Sequence, residues 1–202
     1  MTAGIVLFDL GNVVLDWDPL RLYLTRFENT ADAQAFCREV CTLEWHTHHD
    51  RGVSFSDNAA PLIAQYPQYE DHIQAWRTQW LDMFHGYVAG VPALMARLEE
   101  ARVPLFGLSN LSAEIAAETF DAYPIIKLLR DVVVSGAEGV VKPDLRIYEI
   151  ALERMGSPDP ADVFFIDDRE DNIRAAETIG MRGHVFENAA GLEVALVQQG
   201  IL

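Results

Sequence analysis

The chain has 202 residues, half of them apolar, and a formal net charge of −16 from 31 acidic and 15 basic residues. This length suits one globular domain with its own core and room for an inserted subdomain. A field of this sign repels nucleic acids and anionic membranes, so neither is expected as a partner. A small anionic substrate fits only where a local cation or a metal ion reverses the field.

Two features of the sequence predict a cytoplasmic protein. No apolar stretch approaches the roughly 20 residues of a membrane span, and Met1-Thr2-Ala3 leads directly into an apolar run without the basic segment of a leader. Cys37 and Cys41 stand four residues apart in a helix-like stretch. We expect two buried thiols in a reducing compartment, not a disulfide. The oligomeric state cannot be deduced from the sequence.

Short apolar runs, rich in β-branched and aromatic residues, predict buried parallel strands. They are Ile5–Phe8, Val103–Leu108, Val132–Val134, Val163–Ile166 and His184–Phe186. Helical patterns separate most of them, with Pro92 and Ser112 in positions typical of a first turn and an N-cap. Strand–helix alternation of this kind predicts the α/β class with a doubly wound parallel sheet.

Residues 16–90 follow a different pattern. They lack clear strand runs but are rich in aromatic residues and helix formers, as in Leu20–Phe27, Ala31–Cys41 and His72–Phe84. We interpret this stretch as a helical insertion after the first strand. Residues 1–15 and 91–202 would then form the α/β core.

A carboxylate, Asp9, stands at the end of the first predicted strand, with Gly11 two residues further on. Burial raises the energy of a carboxylate unless a cation or several N–H donors hold it. Taken alone, Asp9 is better explained as an ordinary turn or cap residue. Its meaning depends on the residues at the ends of the other strands.

Polar side chains follow the other predicted strands as well. Ser109 and Asn110 end the second strand, Lys142 precedes a helix, and Asp167-Asp168 follow the Val163–Ile166 run. Each has a structural explanation by itself: a helix cap, an exposed loop, or a complement to a helix dipole. Ligands of doubly wound sheets bind beyond the carboxyl ends of the strands. Together these residues therefore predict one site at that edge.

With these motifs, the sequence resembles the haloacid dehalogenase superfamily, most of whose members are phosphatases. It is most similar to the branch with bacterial α-D-glucose-1-phosphate phosphatase and the N-terminal phosphatase domain of soluble epoxide hydrolases. The motifs span nearly the whole chain: Phe8-Asp9-Leu10-Gly11-Asn12-Val13, Leu108-Ser109-Asn110, Val141-Lys142-Pro143 and Phe165-Ile166-Asp167-Asp168 with Asp171-Asn172. The resemblance implies a Rossmann-like core with an α-helical cap inserted after the first motif, in agreement with the pattern change at residues 16–90.

The resemblance also implies a nucleophile and a metal ion. Asp9 would attack phosphorus and form an aspartyl-phosphate. Mg²⁺, held by Asp9, the main-chain carbonyl of Gly11 and Asp167, would neutralise phosphate charge. Asp168 and Asn172 would orient these ligands.

Three further residues would bind the phosphoryl group: Ser109, the backbone N–H of Asn110, and Lys142. The implied activity is hydrolysis of a small phosphorylated metabolite, and the resemblance favours a sugar phosphate. Nothing in the inserted residues indicates a hexose site directly. The exposed-looking aromatic residues Trp45, Trp76 and Trp80 either stack on a sugar or pack in a core, and core packing is the favoured interpretation.

One position departs from the superfamily pattern. Most of its phosphatases carry a second aspartate two residues after the nucleophile, where this chain has Gly11; the glucose-1-phosphate-type branch shares the glycine. Loss of a general acid–base group typically slows a reaction by roughly 10²–10⁴-fold. We hypothesise that His46, His49 or Asp50, in the histidine-rich segment Glu44–Arg51, replaces it. The alternative is that this segment is only a solvated helix end.

Two other functions are compatible with the motifs. In a metal-independent 2-haloacid dehalogenase, Asp9 would displace halide from carbon, but the Asp167-Asp168 pair would then repel the haloacid carboxylate. A non-catalytic phosphate-binding or scaffold protein would keep the cleft without turnover. The acidic pair favours a phosphatase over the dehalogenase, and the joint presence of Asp9, Lys142 and Asp167 favours it over the scaffold.

Overall fold

The structure is a computed structural model that describes residues 4–202. The prediction that Met1-Thr2-Ala3 does not begin a leader concerns residues outside this range. Its strands are Ile5–Phe8 (β1), Leu15–Trp17 (β2), Phe84–Tyr87 (β3), Leu105–Ser109 (β4), Val132–Val134 (β5), Val163–Asp167 (β6) and Arg182–Val185 (β7). Five of them form one parallel sheet in the order β5-β4-β1-β6-β7. The predicted α/β fold with a doubly wound, Rossmann-like sheet is confirmed.

The α-helices of residues 4–202 fall into two groups. Five lie between β2 and β3: Leu20–Leu24 (α1), Thr30–Glu39 (α2), Leu43–Asp50 (α3), Phe55–Gln65 (α4) and Glu70–Thr78 (α5). The others follow β3: Val91–Glu100 (α6), Ala113–Ala122 (α7), Ser135–Glu138 (α8), Leu145–Arg154 (α9), Glu170–Thr178 (α10) and Ala189–Gln198 (α11). Pro92 lies in the first turn of α6, and Ser112 caps α7 by accepting from the backbone N–H of Glu114, as predicted.

The central strand β1 is buried on both faces of the sheet. Val6 and Phe8 pack in a cluster that includes α6 and α11, whereas Leu7 packs with α9 and α10. Successive side chains of a strand point to opposite faces, and each fully buried side chain of this size contributes about 1.5–3 kcal/mol. Only the carboxyl end of β1 is therefore free to line a site.

The inserted helices are tied to the core by two short strands. β2 and β3 pair in an antiparallel manner on either side of α1–α5. The interpretation of residues 16–90 as lacking strands was wrong at these two places, because segments of three and four residues are too short to show alternation. Among residues 4–202 there is no helix long and apolar enough to cross a bilayer.

The inserted helices have an aromatic core of their own. Trp45, Trp76 and Trp80 are all buried in one cluster, which continues into α7 and β5. The favoured interpretation of these three residues as core residues is confirmed, since tertiary packing covers them. Trp80 alone of the three lines the cavity at the sheet edge.

Candidate active site

The predicted site residues meet at the carboxyl edge of the sheet. A cavity of about 320 Å³ lies between this edge and the inserted helices. Of the residues predicted from the sequence, the ones that line it are Asp9, Gly11, His46, Asp50, Ser109, Asn110, Lys142, Asp168 and Asn172. Asp167 is fully buried behind this wall, and His49 does not line the cavity.

Lys142 is the electrostatic centre of the site. Its Nζ lies 2.8 Å from Asp9 Oδ1 and 2.6 Å from Asp167 Oδ2, and it donates to the main-chain oxygen of Leu108 at 3.1 Å. These contacts use all three donors of the ammonium group. Burial alone would lower the pKa of Lys142, but Asp9 and Asp167 outweigh that effect and raise it. Lys142 is therefore a fixed positive charge.

Two side-chain amides hold the charged groups in place. Asn110 accepts from the backbone N–H of Lys142 at 2.8 Å and donates to its carbonyl at 3.1 Å. Asn172 Nδ2 donates to Asp167 Oδ1 and Oδ2 at 2.9 and 3.1 Å. The sequence predicted the orienting role for Asn172 but assigned Asn110 only a backbone contact with phosphate. The amide pairing across 32 residues has no local signature in the sequence.

Tyr148 is a residue that sequence reasoning missed. Its hydroxyl donates to the main-chain oxygen of Asn172 at 2.9 Å and is buried beneath the site. It anchors the first half of α10, which in turn places the amide that holds Asp167. A tyrosine within the helical pattern of α9 is typical of a core residue, so only its contact shows this role.

Asp9 is ion-paired with buried Lys142 and also lines the cavity. Its Oδ1 faces Lys142, and it also accepts from the backbone N–H of Leu10 at 2.7 Å. Burial raises the pKa of Asp9 to about 7, and Lys142 offsets part of that rise while Asp167 adds to it. A second cation beside Asp9 would favour the ionised form that a nucleophile requires.

Three carboxylates converge next to Lys142. One oxygen from each of Asp9, Asp167 and Asp168 lies within 4.8 Å of the other two. With a single ammonium among them, two negative charges are unbalanced when all three ionise. Hard oxygen donors with excess negative charge are the donor set that Mg²⁺ prefers, so these residues fit a divalent cation.

The cap histidines do not have the environment predicted for a proton donor. His46 accepts from Trp76 Nε1 at 3.2 Å and stacks on Trp17 and Trp80. Burial lowers the pKa of His46 to about 3 and that of His49 to about 4. Both imidazoles are therefore neutral near pH 7 and have no proton to spare as acids. The interpretation as a solvated helix end was also wrong, because His46, His49 and Asp50 are buried.

We expect the buried imidazole of His46 to make stability pH-dependent. Its folded pKa lies below the unfolded value of 6.5, so its contribution is complete above pH 6.5 and declines as pH falls towards 3. The neighbouring Asp50, whose pKa burial raises to about 7, has the opposite effect, and His49 has the same effect as His46. The pH dependence of the total free energy of unfolding therefore does not show the contribution of any one group.

The difference in unfolding free energy between wild type and His46→Gln isolates the contribution of His46. Relative to the variant, wild type should lose up to about 1.4 kcal/mol of unfolding free energy per pH unit below 6.5, measured by urea titration. His85→Gln, at an exposed position, is the control. A difference between wild type and His46→Gln that is constant from about pH 7 to 5 would contradict a neutral buried imidazole.

Together, the parallel sheet, the carboxylate at the tip of β1 and the lysine-linked acidic cluster define a Rossmann-like hydrolase site. Residues 4–180 match the model of a hydrolase family described as haloacid dehalogenase-like hydrolase. The chain belongs to this family, as the motifs around Asp9, Ser109, Lys142 and Asp167 predict.

Two relatives have names that describe phosphate chemistry. The sesquiterpene phosphatase astK of Aspergillus oryzae is 24% identical over 194 residues, which cover 94% of this chain and 93% of that protein. The flavin mononucleotide hydrolase 1 of Arabidopsis thaliana is 34% identical over 113 residues, 48% of this chain and 46% of that protein.

Solved structures with the same fold include different chemistries. An enzyme of this family from Bacteroides thetaiotaomicron, in complex with magnesium and inorganic phosphate, has a TM-score of 0.72 at 19% identity and covers 92% of this chain and 94% of its own. The L-2-haloacid dehalogenase of Xanthobacter autotrophicus has a TM-score of 0.65 at 16% identity and covers 100% and 85%. At these identities the likeness shows the fold alone.

Proposed function

We propose that the chain hydrolyses the phosphomonoester of a small metabolite through an aspartyl-phosphate on Asp9. The observation that carries the proposal is the carboxylate of Asp9, which is ion-paired with buried Lys142 and opens into the cavity. A carboxylate oxygen of Asp9 forms a bond to phosphorus while the bond to the alcohol oxygen breaks and that oxygen takes up a proton. Water then cleaves the aspartyl-phosphate, which releases phosphate and restores Asp9.

The chain's own residues would bind and position the phosphoryl group. Lys142 faces Asp9 from the core, and Ser109 lines the cavity at the end of the neighbouring strand β4. The backbone N–H of Asn110 is proposed as a further donor to the phosphoryl oxygens. Such preorganised donors stabilise charge that develops in the transition state.

We propose Mg²⁺ as the cofactor, since the unbalanced acidic cluster would otherwise repel a phosphate dianion. When bound, the ion would neutralise phosphate charge as a Lewis acid. The sequence assigned it to Asp9, the Gly11 carbonyl and Asp167. However, both oxygens of Asp167 already accept from Lys142, Asn172 and the backbone N–H of Arg169, whereas Asp168 is exposed at the cavity. We therefore propose Asp168 as the third ligand and Asp167 as the residue that orients Lys142.

The metal assignment separates the phosphatase from the dehalogenase. Chelation with EDTA should lower phosphatase activity by more than about 100-fold, because a bound Lewis acid lowers the activation barrier by several kcal/mol. Asp168→Asn should raise the Mg²⁺ concentration needed for half-maximal rate and for the thermal shift caused by Mg²⁺, compared with the exposed control Asp121→Asn. Release of halide from 2-haloacids that persists in EDTA would instead support the dehalogenase.

The cavity walls bear on the substrate. Seven of the twenty residues that line the cavity have large apolar side chains, namely Leu10, Leu15, Trp17, Leu43, Trp80, Phe84 and Leu111. Sugar hydroxyls against this apolar part of the wall would lack hydrogen-bond partners. The proposal therefore extends beyond the sugar phosphate favoured by the sequence to phosphate esters of alcohols with an apolar or aromatic skeleton.

The same assay tests the substrate class. With Mg²⁺ present, a panel should contain glucose 1-phosphate, a short prenyl monophosphate and flavin mononucleotide, with 2-haloacids as the contrasting class. We expect kcat/KM to be higher for the prenyl or flavin ester than for the hexose ester. The reverse order would return the assignment to a sugar phosphate. We also propose that the substrate is a small molecule and that the protein is cytoplasmic; both proposals are supported by the amino-acid composition.

A further inference from the structure

The proposed hydrolysis requires a proton donor for the leaving alcohol. In most phosphatases that the sequence resembles, an aspartate two residues after the nucleophile has this role, and here Gly11 stands at that position. The space beside Gly11 is open, since a Cβ built there meets no heavy atom of residues 4–202 within 4 Å, its two chain neighbours aside. Within that range, no residue from elsewhere in the chain therefore fills the place of the missing acid.

Asp50, at the end of α3, is a buried carboxyl group in the wall of the same cavity. Its Oδ1 is buried and has no hydrogen-bond partner among residues 4–202, although buried polar atoms are normally paired. Its Oδ2 lies 3.5 Å from His46 Nε2. An unpaired buried oxygen beside a ligand cavity indicates a group that is kept for contact with a ligand.

The position of Asp50 is fixed relative to the core. Ser135 Oγ, at the start of α8, donates to the main-chain oxygen of Asp50 at 2.7 Å and accepts from the backbone N–H of Leu111 at 3.0 Å. This bridge connects the inserted helices to the loop that follows β4. It holds Asp50 at the same boundary of cap and core as Ser109 and Lys142.

Geometry places the leaving group on the side of the inserted helices. An in-line attack by Asp9 requires the departing oxygen to lie on the far side of phosphorus from the sheet edge. The inserted helices form the wall of the cavity opposite this edge. Burial raises the pKa of Asp50 to about 7, partly offset by Lys142, so the group holds a proton near neutral pH.

We propose that Asp50 is the general acid and base of the reaction, in place of the carboxylate missing at position 11; this inference rests on the proposed phosphatase function. Asp50 transfers its proton to the alcohol oxygen as the bond between phosphorus and oxygen breaks. As an anion, it then accepts a proton from the water that attacks the aspartyl-phosphate, which restores both groups.

The leaving group provides the test. Asp50→Asn should lower kcat/KM for an alkyl phosphate by roughly 10²–10⁴-fold but for p-nitrophenyl phosphate by less than about tenfold, because nitrophenolate departs without a proton. Asp71→Asn, a change of the same type at an exposed position of the cap, is the matched control and should keep wild-type rates. Equal losses for both esters, or no loss, would overturn the assignment.

A second variant places the acid where the sequence lacks it. In the Asp50→Asn background, Gly11→Asp should recover at least tenfold of the lost rate towards the alkyl phosphate, since the space beside Gly11 is open. Failure to recover would count against the exchange of roles between the two positions. Binding of inorganic phosphate with Mg²⁺, measured by calorimetry, should stay within about twofold of wild type in Asp50→Asn, which distinguishes lost proton transfer from a damaged site.

Wild type alone supplies a measurement that does not depend on folding of a variant. Across substituted phenyl phosphates, kcat/KM should depend only weakly on the leaving-group pKa if Asp50 donates a proton, and steeply if no acid acts. A steep dependence in an active wild type would overturn this inference and leave the phosphatase proposal intact. Absence of Mg²⁺-dependent hydrolysis in wild type would overturn both.

Discussion

Asp9→Asn should lower Mg²⁺-dependent phosphatase activity by on the order of 10⁴–10⁶-fold, the range typical for loss of a residue from a covalent catalytic unit. The amide that replaces Asp9 cannot form the acyl-phosphate and brings no charge to a cation. Lys142 would keep its contacts with Asp167 and the Leu108 carbonyl, so the site should stay assembled. We therefore expect little change in thermal stability.

The measurement is hydrolysis of p-nitrophenyl phosphate, with mass spectrometry of the peptide that contains Asp9 after an acid quench. Wild type should carry a phosphoryl group on this peptide, and Asp9→Asn should not. Asp121→Asn is the control, because it makes the same change at an exposed position of α7. Equal background rates in wild type and Asp9→Asn would instead favour the non-catalytic scaffold.

Lys142→Met should destabilise the fold as well as slow turnover. The substitution leaves Asp9 and Asp167 buried beside each other without the ammonium that now lies 2.8 and 2.6 Å from them. Removal of one partner from a buried ion pair typically costs about 3–5 kcal/mol. Loss of a fixed cation at the proposed phosphoryl site should also lower kcat by about 10²–10³-fold.

Chemical denaturation and kinetics would separate these two effects. Lys142→Met/Asp167→Asn should recover part of the lost stability, because one buried carboxylate is neutralised, but no activity. Lys127→Met changes the other lysine of the chain, which is exposed, and should affect neither quantity. If Lys142→Met unfolds at the same urea concentration as wild type, the buried charge cluster does not have the energetic role that its geometry indicates.

Much of the candidate site could be predicted from the sequence because it depends on local pattern and one topological rule. Asp9, Ser109 and Asp167 each end an apolar run, and parallel strands bring their carboxyl ends to one edge. The five sheet strands were found within two residues at each end. β2 and β3 were missed, since strands this short leave no periodicity to detect.

The environments of the cap residues could not be predicted in the same way. A histidine in a polar segment is typical of a group that titrates near pH 7, but burial among Trp17, Trp76 and Trp80 makes His46 neutral. Conversely, the sequence around Asp50 is typical of a surface carboxylate at a helix end. Desolvation by residues distant in the sequence lowers the pKa of His46 and raises that of Asp50, which leaves Asp50 as the candidate acid that holds a proton near neutral pH.

The sequence by itself determined the fold class, the family and the identity of the groups at the sheet edge, because these depend on residue type and on position along each strand. Tertiary structure decided which carboxylate oxygens already accept hydrogen bonds, as those of Asp167 do, and which has no partner among residues 4–202, as Oδ1 of Asp50. It also showed that the space beside Gly11 is open. Hydrogen-bond partners and desolvation arise from residues that are remote in the chain, so no local pattern encodes them.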